Sequence, residues 1–152
     1  MATTSKDKKK NEPNDSVLRK KWGGKVIDAG WIGFPNILIE RQQALGLKPL
    51  EMNIILVLLK YWWEEGKNPF PSKTTIAEIV GRDISTVRKA IKELEDKKFI
   101  KRNTRFLPKG GQTSNVYDLT GLVKKLGQEA AKINALDKER KSEDAALRRG
   151  RK

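Results

Sequence analysis

Residues 84–97 carry two stripes of side chains that repeat at helical spacing on different faces of one segment. The first stripe is apolar and the second is polar and basic: Val87, Ala90, Ile91 and Leu94, then Ser85, Arg88, Lys89 and Lys92. Since residues three and four positions apart share a helix face, this pattern predicts an amphipathic helix over 84–97. The apolar stripe can anchor the helix to a core while the other stripe presents hydrogen-bond donors to a ligand.

The residues before this helix indicate a second helix joined to it by a short turn. Ser72 and Asp83 are predicted helix N-caps, because their side-chain oxygens can accept a backbone N–H bond. A helix is expected over about 73–80, and Gly81 provides the backbone freedom that the turn requires. Two helices joined in this way form a helix-turn-helix.

The residues after the helix predict a hairpin. Segments 99–105 and 116–119 have strand-like content, and they enclose the turn signal Pro108-Lys109-Gly110-Gly111. A basic hairpin directly after a helix-turn-helix makes a wing. The predicted fold class is therefore mainly α, a winged helix-turn-helix with a small β-hairpin wing and a C-terminal helix.

Further helices are expected on the N-terminal side. One over about 37–45 is ended by Gly46, and a longer apolar one over about 50–65 is ended by Gly66. Apolar residues cover every face of the longer helix, so it is either the central helix or has one side in a subunit interface. Of the adjacent Trp62 and Trp63, one is expected in the core and the other at the core edge or in an interface, and stacking on single-stranded bases is the alternative.

The chain has 152 residues, enough for one domain with a core. The expected organisation is a flexible basic tail at 1–21, the winged helix-turn-helix domain at 22–122, and a C-terminal helix that frays into a charged tail at 123–152. The start of the chain is rich in lysine but lacks the apolar stretch of a secretory signal, so a cytoplasmic, nucleoid-associated protein is expected. The longest apolar run falls well short of the roughly 20 residues that span a bilayer, so no membrane partner is expected.

The charge and the missing residue types narrow the function. Lysine and arginine number 33 against 19 acidic residues, which gives a formal net charge of +14. Such an excess attracts polyanions, and DNA, RNA or a merely solubilising surface would each fit it. The chain has no cysteine and no histidine, and its acidic residues show no site-like spacing. No enzyme activity, cofactor, metal or small-molecule ligand is therefore expected.

The candidate DNA-contacting residues lie at the helix starts, on the polar stripe and in the wing. A major groove admits one α-helix, and the N-terminal part of the second helix of a helix-turn-helix reads the base edges. Arg88 is the leading base reader, because a guanidinium can bond guanine O6 and N7 together, and Lys92 is expected at a phosphate. The full set is Ser72, Lys73, Thr74, Arg82, Ser85, Thr86, Arg88, Lys89, Lys92, Arg102, Arg105, Lys109, Gln112, Thr113 and Ser114.

Two alternatives to this interface remain open. The basic stripe can be a solvated face, with Lys89 paired to Glu93 and Lys92 paired to Asp96 at four-residue spacing. The wing can likewise be an ordinary exposed hairpin, or it can follow the DNA backbone or enter the minor groove.

A homodimer is expected because one recognition helix reads few base pairs.

Several segments resemble a bacterial winged helix-turn-helix family of plasmids, phages and mobile elements that includes relatives of replication initiators. They are GFPN at 33–36, FPS at 70–72, TIAEIVG at 75–81, STVRKAIKELE at 85–95, FIKR at 99–102 and GQTSNVYDL at 111–119. The resemblance covers about residues 31–122 and implies DNA binding through Ser85, Thr86, Arg88 and Lys89. Arg82 and Asp83 depart from the family pattern, so the family's base preference does not transfer.

The predicted function is sequence-specific binding of double-stranded DNA, as a transcriptional regulator, with helix 84–97 in the major groove and the wing at 103–115. One alternative is a plasmid or phage replication initiator that binds repeated sites. Another is a winged-helix adaptor that binds protein, and RNA binding is a weaker one. A steep dependence of affinity on salt separates a nucleic-acid binder from an adaptor.

Overall fold

The structure, a computed structural model, describes residues 15–111 and 113–151. Backbone contacts divide the chain into a short unit that ends at Gly33 and a larger unit that begins at Phe34. The elements of the described part, in chain order, are α1 (Asp15–Trp22), α2 (Gly24–Asp28), α3 (Asn36–Glu40), α4 (Pro49–Tyr61), α5 (Lys73–Val80), α6 (Ile84–Asp96), β1 (Lys101–Asn103), β2 (Val116–Asp118) and α7 (Thr120–Arg149).

The short unit contains α1 and α2, which one arginine joins. Arg19 lies 2.8 Å from a carboxylate oxygen of Asp15 and 2.8 Å from one of Asp28. These two carboxylates raise the pKa of Arg19 above its ordinary value. Residues 15–21 belong to α1 and are helical, whereas the sequence predicted a flexible tail through residue 21. Residues 1–14 of that predicted tail lie outside the described residues.

The core of the larger unit is built around α4, which packs against both α5 and α6. Ile54, Ile55 and Leu58 of α4 are fully buried. The apolar stripe of α6 is buried as predicted, which leaves its polar stripe on the outside. The residues that complete the centre of this core include Leu38, Ile76, Phe99, Tyr117 and Leu122.

Two N-terminal helices end earlier than predicted. α4 ends at Tyr61 rather than near residue 65, because Trp62 leaves the helical conformation, with φ −96° and ψ 88°. Trp62 packs half-buried against the core and Trp63 is exposed. Gly66 has a positive φ of 78°, but it lies in a later turn and does not stop this helix. Similarly, α3 covers only Asn36–Glu40, and turns follow it as far as Gly46.

Local capping sets the bounds of the helix-turn-helix. The Ser72 hydroxyl accepts the Thr75 backbone N–H at 3.0 Å, so α5 starts where the sequence predicted. Gly81 ends α5 in the left-handed conformation, with φ 70°, and donates to the Ala77 carbonyl at 2.9 Å. Asp83 then caps α6 by accepting the Thr86 N–H at 3.0 Å. The three-residue turn between α5 and α6 therefore has a defined conformation.

The wing is an antiparallel pair of short strands. Lys101 of β1 is opposite Asp118 of β2, and Arg102 is opposite the fully buried Tyr117. The Tyr117 N–H donates to the Pro69 carbonyl at 2.9 Å. The strands are shorter than the predicted segments 99–105 and 116–119. The base of the wing is nevertheless attached to the segment that leads into α5.

The C-terminal helix α7 is continuous from Thr120 to Arg149. Its first half packs on the domain through Leu122 and Leu126. The buried carboxylate of Glu129 bonds Arg41 at 2.9 Å and Lys132 at 3.0 Å, and both bonds lower its pKa. Within the described residues, no helix combines the length and apolar character that crossing a bilayer requires.

Candidate nucleic-acid interface

The polar stripe of α6 is exposed along its length. Ser85, Arg88, Lys89 and Lys92 all face solvent, since the opposite face of α6 is buried against the core. Three cations on one face of one helix give a row of positive charge on a rigid scaffold. This arrangement can meet a polyanion without first reorganising the backbone.

The cations of this stripe are not neutralised by neighbouring carboxylates. In the described part of the chain, Arg88, Lys89 and Lys92 enter no ion pair, so neither alternative pair predicted from the sequence forms. Glu93 instead bonds the Nζ of Lys48 at 3.0 Å, 45 positions away in the chain. The stripe therefore keeps its donors available.

Positive charge also converges at the start of α5. Lys73 lies half-buried at the first position of this helix. Burial lowers the pKa of Lys73, and the positive charges of Arg102 and Arg88 lower it further. A helix N-terminus with its free N–H groups is favourable for an anion, and these cations add to that field. Thr74 is exposed beside Lys73.

Two of the predicted contact residues are occupied in capping. The Ser72 hydroxyl lies 2.8 Å from the Thr75 hydroxyl and also accepts the Thr75 N–H. The hydroxyl of Thr86 donates to Asp83 at 2.6 Å. The two bonds from Thr86 lower the pKa of Asp83, so this carboxylate stays charged and engaged within its own turn. Arg82 is exposed in the same turn.

Arg102 is held by Glu95. Its Nε and one terminal nitrogen donate to the two oxygens of the Glu95 carboxylate at 3.1 and 2.9 Å, and its backbone N–H donates at 3.0 Å. This fork raises the pKa of Arg102 and lowers that of Glu95. The guanidinium predicted to contact DNA therefore fastens β1 to the end of α6.

The wing loop contributes two cations to this surface. Arg105 and Lys109 are exposed, and the Arg105 guanidinium lies 4.2 Å from the centre of the Phe70 ring. Thr113 and Ser114 are both half-buried, and the Thr113 N–H donates to the Arg105 carbonyl at 3.0 Å. Gln112, which was also predicted here, lies outside the described residues.

Glu95 and Phe70 are part of this surface although the sequence pattern did not single them out. Glu95 acts seven positions before Arg102, across the link between α6 and β1, and no local spacing indicates that pairing. Phe70 lies between Pro69 and Pro71, which are both buried. That bracket of prolines indicates a fixed extended segment that turns the ring outward.

Residues 45–100 match a family described as a helix-turn-helix domain. Among solved structures, the N-terminal domain of DnaD protein from Geobacillus kaustophilus HTA426 is similar with a TM-score of 0.56 and 21% identity. The similarity covers 84% of this chain and 99% of that one. A possible transcriptional regulator from Methanosarcina mazei Go1 has a TM-score of 0.43 and 18% identity, covering 73% of this chain and 96% of that chain.

A MarR/EmrR family transcriptional regulator from Acinetobacter sp. ADP1 has a TM-score of 0.41 and 22% identity, covering 83% of this chain and 76% of that chain. A search of curated protein sequences gives no match.

The family match and the geometry together define the fold. The segment over 45–100 is a helix-turn-helix domain, and it contains α4, α5 and α6. The two-stranded wing and the C-terminal helix complete a mainly helical winged-helix fold, so the predicted fold class is confirmed. The DnaD domain shares this fold at an identity that establishes fold similarity alone.

Proposed function

We propose that the protein binds double-stranded DNA in a sequence-specific manner and acts as a transcriptional regulator. The observation that carries the proposal is the exposed basic stripe on α6, the second helix of the helix-turn-helix, whose cations form no ion pair with any described residue. Such a helix fits the major groove, where base edges offer distinguishable donors and acceptors. The net charge of +14 supplies the sequence-independent attraction.

Each group in the interface has a proposed role. Ser85, Arg88 and Lys89 lie toward the start of α6 and read bases, while Lys92 meets a phosphate one turn later. Lys73 and Thr74 bind a second phosphate at the start of α5, and Arg82, in the turn between α5 and α6, binds a further one. Arg105 and Lys109 bring the wing to the backbone or the minor groove.

The remaining predicted residues are assigned a positioning role because of their bonds. Ser72 and Thr86 hold the starts of the two helices, and Arg102 holds the wing against α6. Thr113 and Ser114 lie half-buried between the wing loop and β2, where the Thr113 N–H donates to the Arg105 carbonyl, and they support the loop. This division follows from hydrogen-bond occupancy, since a donor already satisfied within the protein has less to offer DNA.

A homodimer is part of the proposal, with the C-terminal half of α7 as its interface. One stripe of α7 has positions that are alternately four and three residues apart. It carries the apolar residues Leu122, Leu126, Ile133, Leu136 and Leu147, with the charged residues Glu129, Arg140 and Glu143 between them. The first part is buried in the domain, whereas Leu136 and Leu147 are exposed. Apolar residues that continue along α7 beyond the part packed on the domain can pack against the same helix of a second copy.

Selection of bound sequences from random duplex DNA tests the proposal directly. It reports specificity, site length and symmetry, and an inverted repeat is expected from a twofold dimer. Direct repeats would point instead to the replication initiator. Failure to enrich any sequence, together with an affinity that barely changes with salt, would leave the adaptor as the better explanation.

Two single substitutions then separate base reading from phosphate binding. Arg88→Ala is expected to weaken binding to the selected site by about 1–3 kcal/mol and to random DNA much less. Lys92→Ala, the matched change one turn away on the same stripe, is expected to weaken both alike. Equal losses of affinity for both DNAs in Arg88→Ala would show that Arg88 does not read a base.

A further inference from the structure

A second surface of the domain combines exposed aromatic rings with cations. Tyr61, Trp63, Asn68 and Phe70 line a shallow cleft of about 350 Å³ between the end of α4 and the start of α5. Trp63 is 81% exposed and Phe70 is 53% exposed. Exposed apolar rings that lie together around one cleft can mark a ligand-binding surface. Tyr61 and Trp63 have no role in the proposed duplex-binding face, and Phe70 borders that face through Arg105.

Cations border the rings. The Lys60 ammonium lies 4.1 Å from the centre of the Tyr61 ring, and the Arg105 guanidinium lies 4.2 Å from that of Phe70. Lys67 also lines the cleft and forms an exposed ion pair with Glu64 at 2.6 Å. Aromatic faces beside cations suit a ligand that alternates flat rings with negative charges.

We infer that this cleft binds a single-stranded nucleic acid by stacking its unpaired bases on Trp63 and Phe70. Single-strand binders combine aromatic platforms with a basic track for the backbone, and the stacking tolerates any base because every base has a π-face. Lys60 and Arg105 supply the charge for the phosphates, since Lys67 is paired with Glu64, which also lines the cleft. A protein partner fits less well, since its surface would have to offset the charges of Lys60 and Arg105.

The location of the cleft gives this binding a place beside the duplex site. Phe70 and Pro71 immediately precede Ser72, the cap of α5, and Arg105 belongs to the wing. A strand opened from a duplex held by α6 would therefore find the cleft nearby. The inference goes beyond duplex binding, because it concerns a different ligand and a platform, Trp63, that the duplex proposal does not use; Arg105 is shared by the two sites.

The test compares strand binding and duplex binding in the full chain. The probes are oligo-deoxythymidine and oligo-uridine of about 12 nucleotides, within the site sizes of known single-strand binders. Binding is expected to quench Trp63 fluorescence, because a stacked base quenches an exposed indole. Trp63→Ala is expected to weaken strand binding by at least about fivefold, the low end of stacking contributions. Binding of either probe supports the shared chemistry, and their ratio shows whether DNA or RNA is preferred.

Two further variants make the result specific. Trp63→Phe keeps an aromatic face and is expected to retain most of the affinity, whereas Trp31→Ala removes an exposed tryptophan outside the cleft and should change nothing. Duplex affinity should be the same in Trp63→Ala and in the wild-type protein, so a failure here leaves the duplex proposal intact. Unchanged strand binding in Trp63→Ala, binding of neither probe, or an equal loss for strand and duplex would overturn the inference.

Discussion

Gly121 shows how one residue fixes the position of a whole helix. A Cβ atom built on Gly121 would lie 2.1 Å from the Lys98 carbonyl oxygen and 3.1 Å from that of Phe99. Next to it, the Leu122 N–H donates to the Phe99 carbonyl at 2.8 Å. α7 thus starts in direct backbone contact with the link between α6 and β1. Only glycine allows that approach.

Gly121→Ala is expected to destabilise the fold by about 1–3 kcal/mol, as overpacking against rigid backbone does. Gly127→Ala is the matched control, because in the same helix the added Cβ at that position would have no atom of another described segment within 4 Å. It is expected to stabilise the helix by about 0.5–1 kcal/mol. Urea unfolding of both variants measures the difference, and equal stabilities would show that α7 can shift away without cost.

At the scale of elements, capping determined how much could be predicted. The bounds of α5 agree with the predicted 73–80 and α6 ends one residue before the predicted 97, because Ser72, Gly81 and Asp83 act on residues within one turn of themselves. The end of α4 could not be predicted in this way. Trp62 turns out of the helix to pack on the core, and that preference depends on residues distant in the chain.

The candidate site was predictable in position but not in the state of each side chain. The stripe on α6 follows from spacing alone, and its exposure is as expected. Whether a cation on it is free depends on carboxylates elsewhere. Glu93 is paired with Lys48, and Glu95 is paired with Arg102. Spacing along the chain contains no information about the first of these pairs, whose members lie 45 positions apart.

The fork between Glu95 and Arg102 predicts a pH-dependent stability. It lowers the folded-state pKa of Glu95, so the folded protein binds fewer protons there than the unfolded chain does. Its contribution is therefore complete above the unfolded-state pKa of about 4.3 and is lost as the pH falls through the folded-state value. Glu95→Gln should be less stable than the wild-type protein at pH 7, by about 1 kcal/mol at most for a half-exposed pair.

The measurement is urea unfolding of the wild-type protein and Glu95→Gln at several pH values. The gap between them should be widest near neutral pH and should close in acid. Glu78→Gln, an exposed substitution on α5, should show no comparable gap at any pH. A gap for Glu95→Gln that stays constant down to pH 3 would mean that packing, rather than the ion pair, holds β1 to α6.

At the scale of the whole molecule, the exposed half of α7 has a self-complementary order of side chains. Leu136, Arg140, Glu143 and Leu147 follow one another at steps of four, three and four residues, so they share one helix face. In an antiparallel pair with a twofold axis midway between 140 and 143, Leu136 meets Leu147 of the second copy. The same axis brings Arg140 opposite Glu143 of the second copy. Apolar contacts then flank two symmetry-related ion pairs.

A charge exchange tests that register in full. Arg140→Glu or Glu143→Arg alone places like charges opposite each other, so each should lower the dimer fraction measured by analytical ultracentrifugation. The double variant Arg140→Glu, Glu143→Arg restores opposite charges across the axis and should recover dimerisation, which no parallel or unrelated contact predicts. Lys141→Glu lies off the stripe and should leave the dimer fraction unchanged. Loss of dimers in the double variant as well would mean that the two copies meet elsewhere. If the wild-type protein is monomeric without DNA, dimerisation would depend on DNA binding.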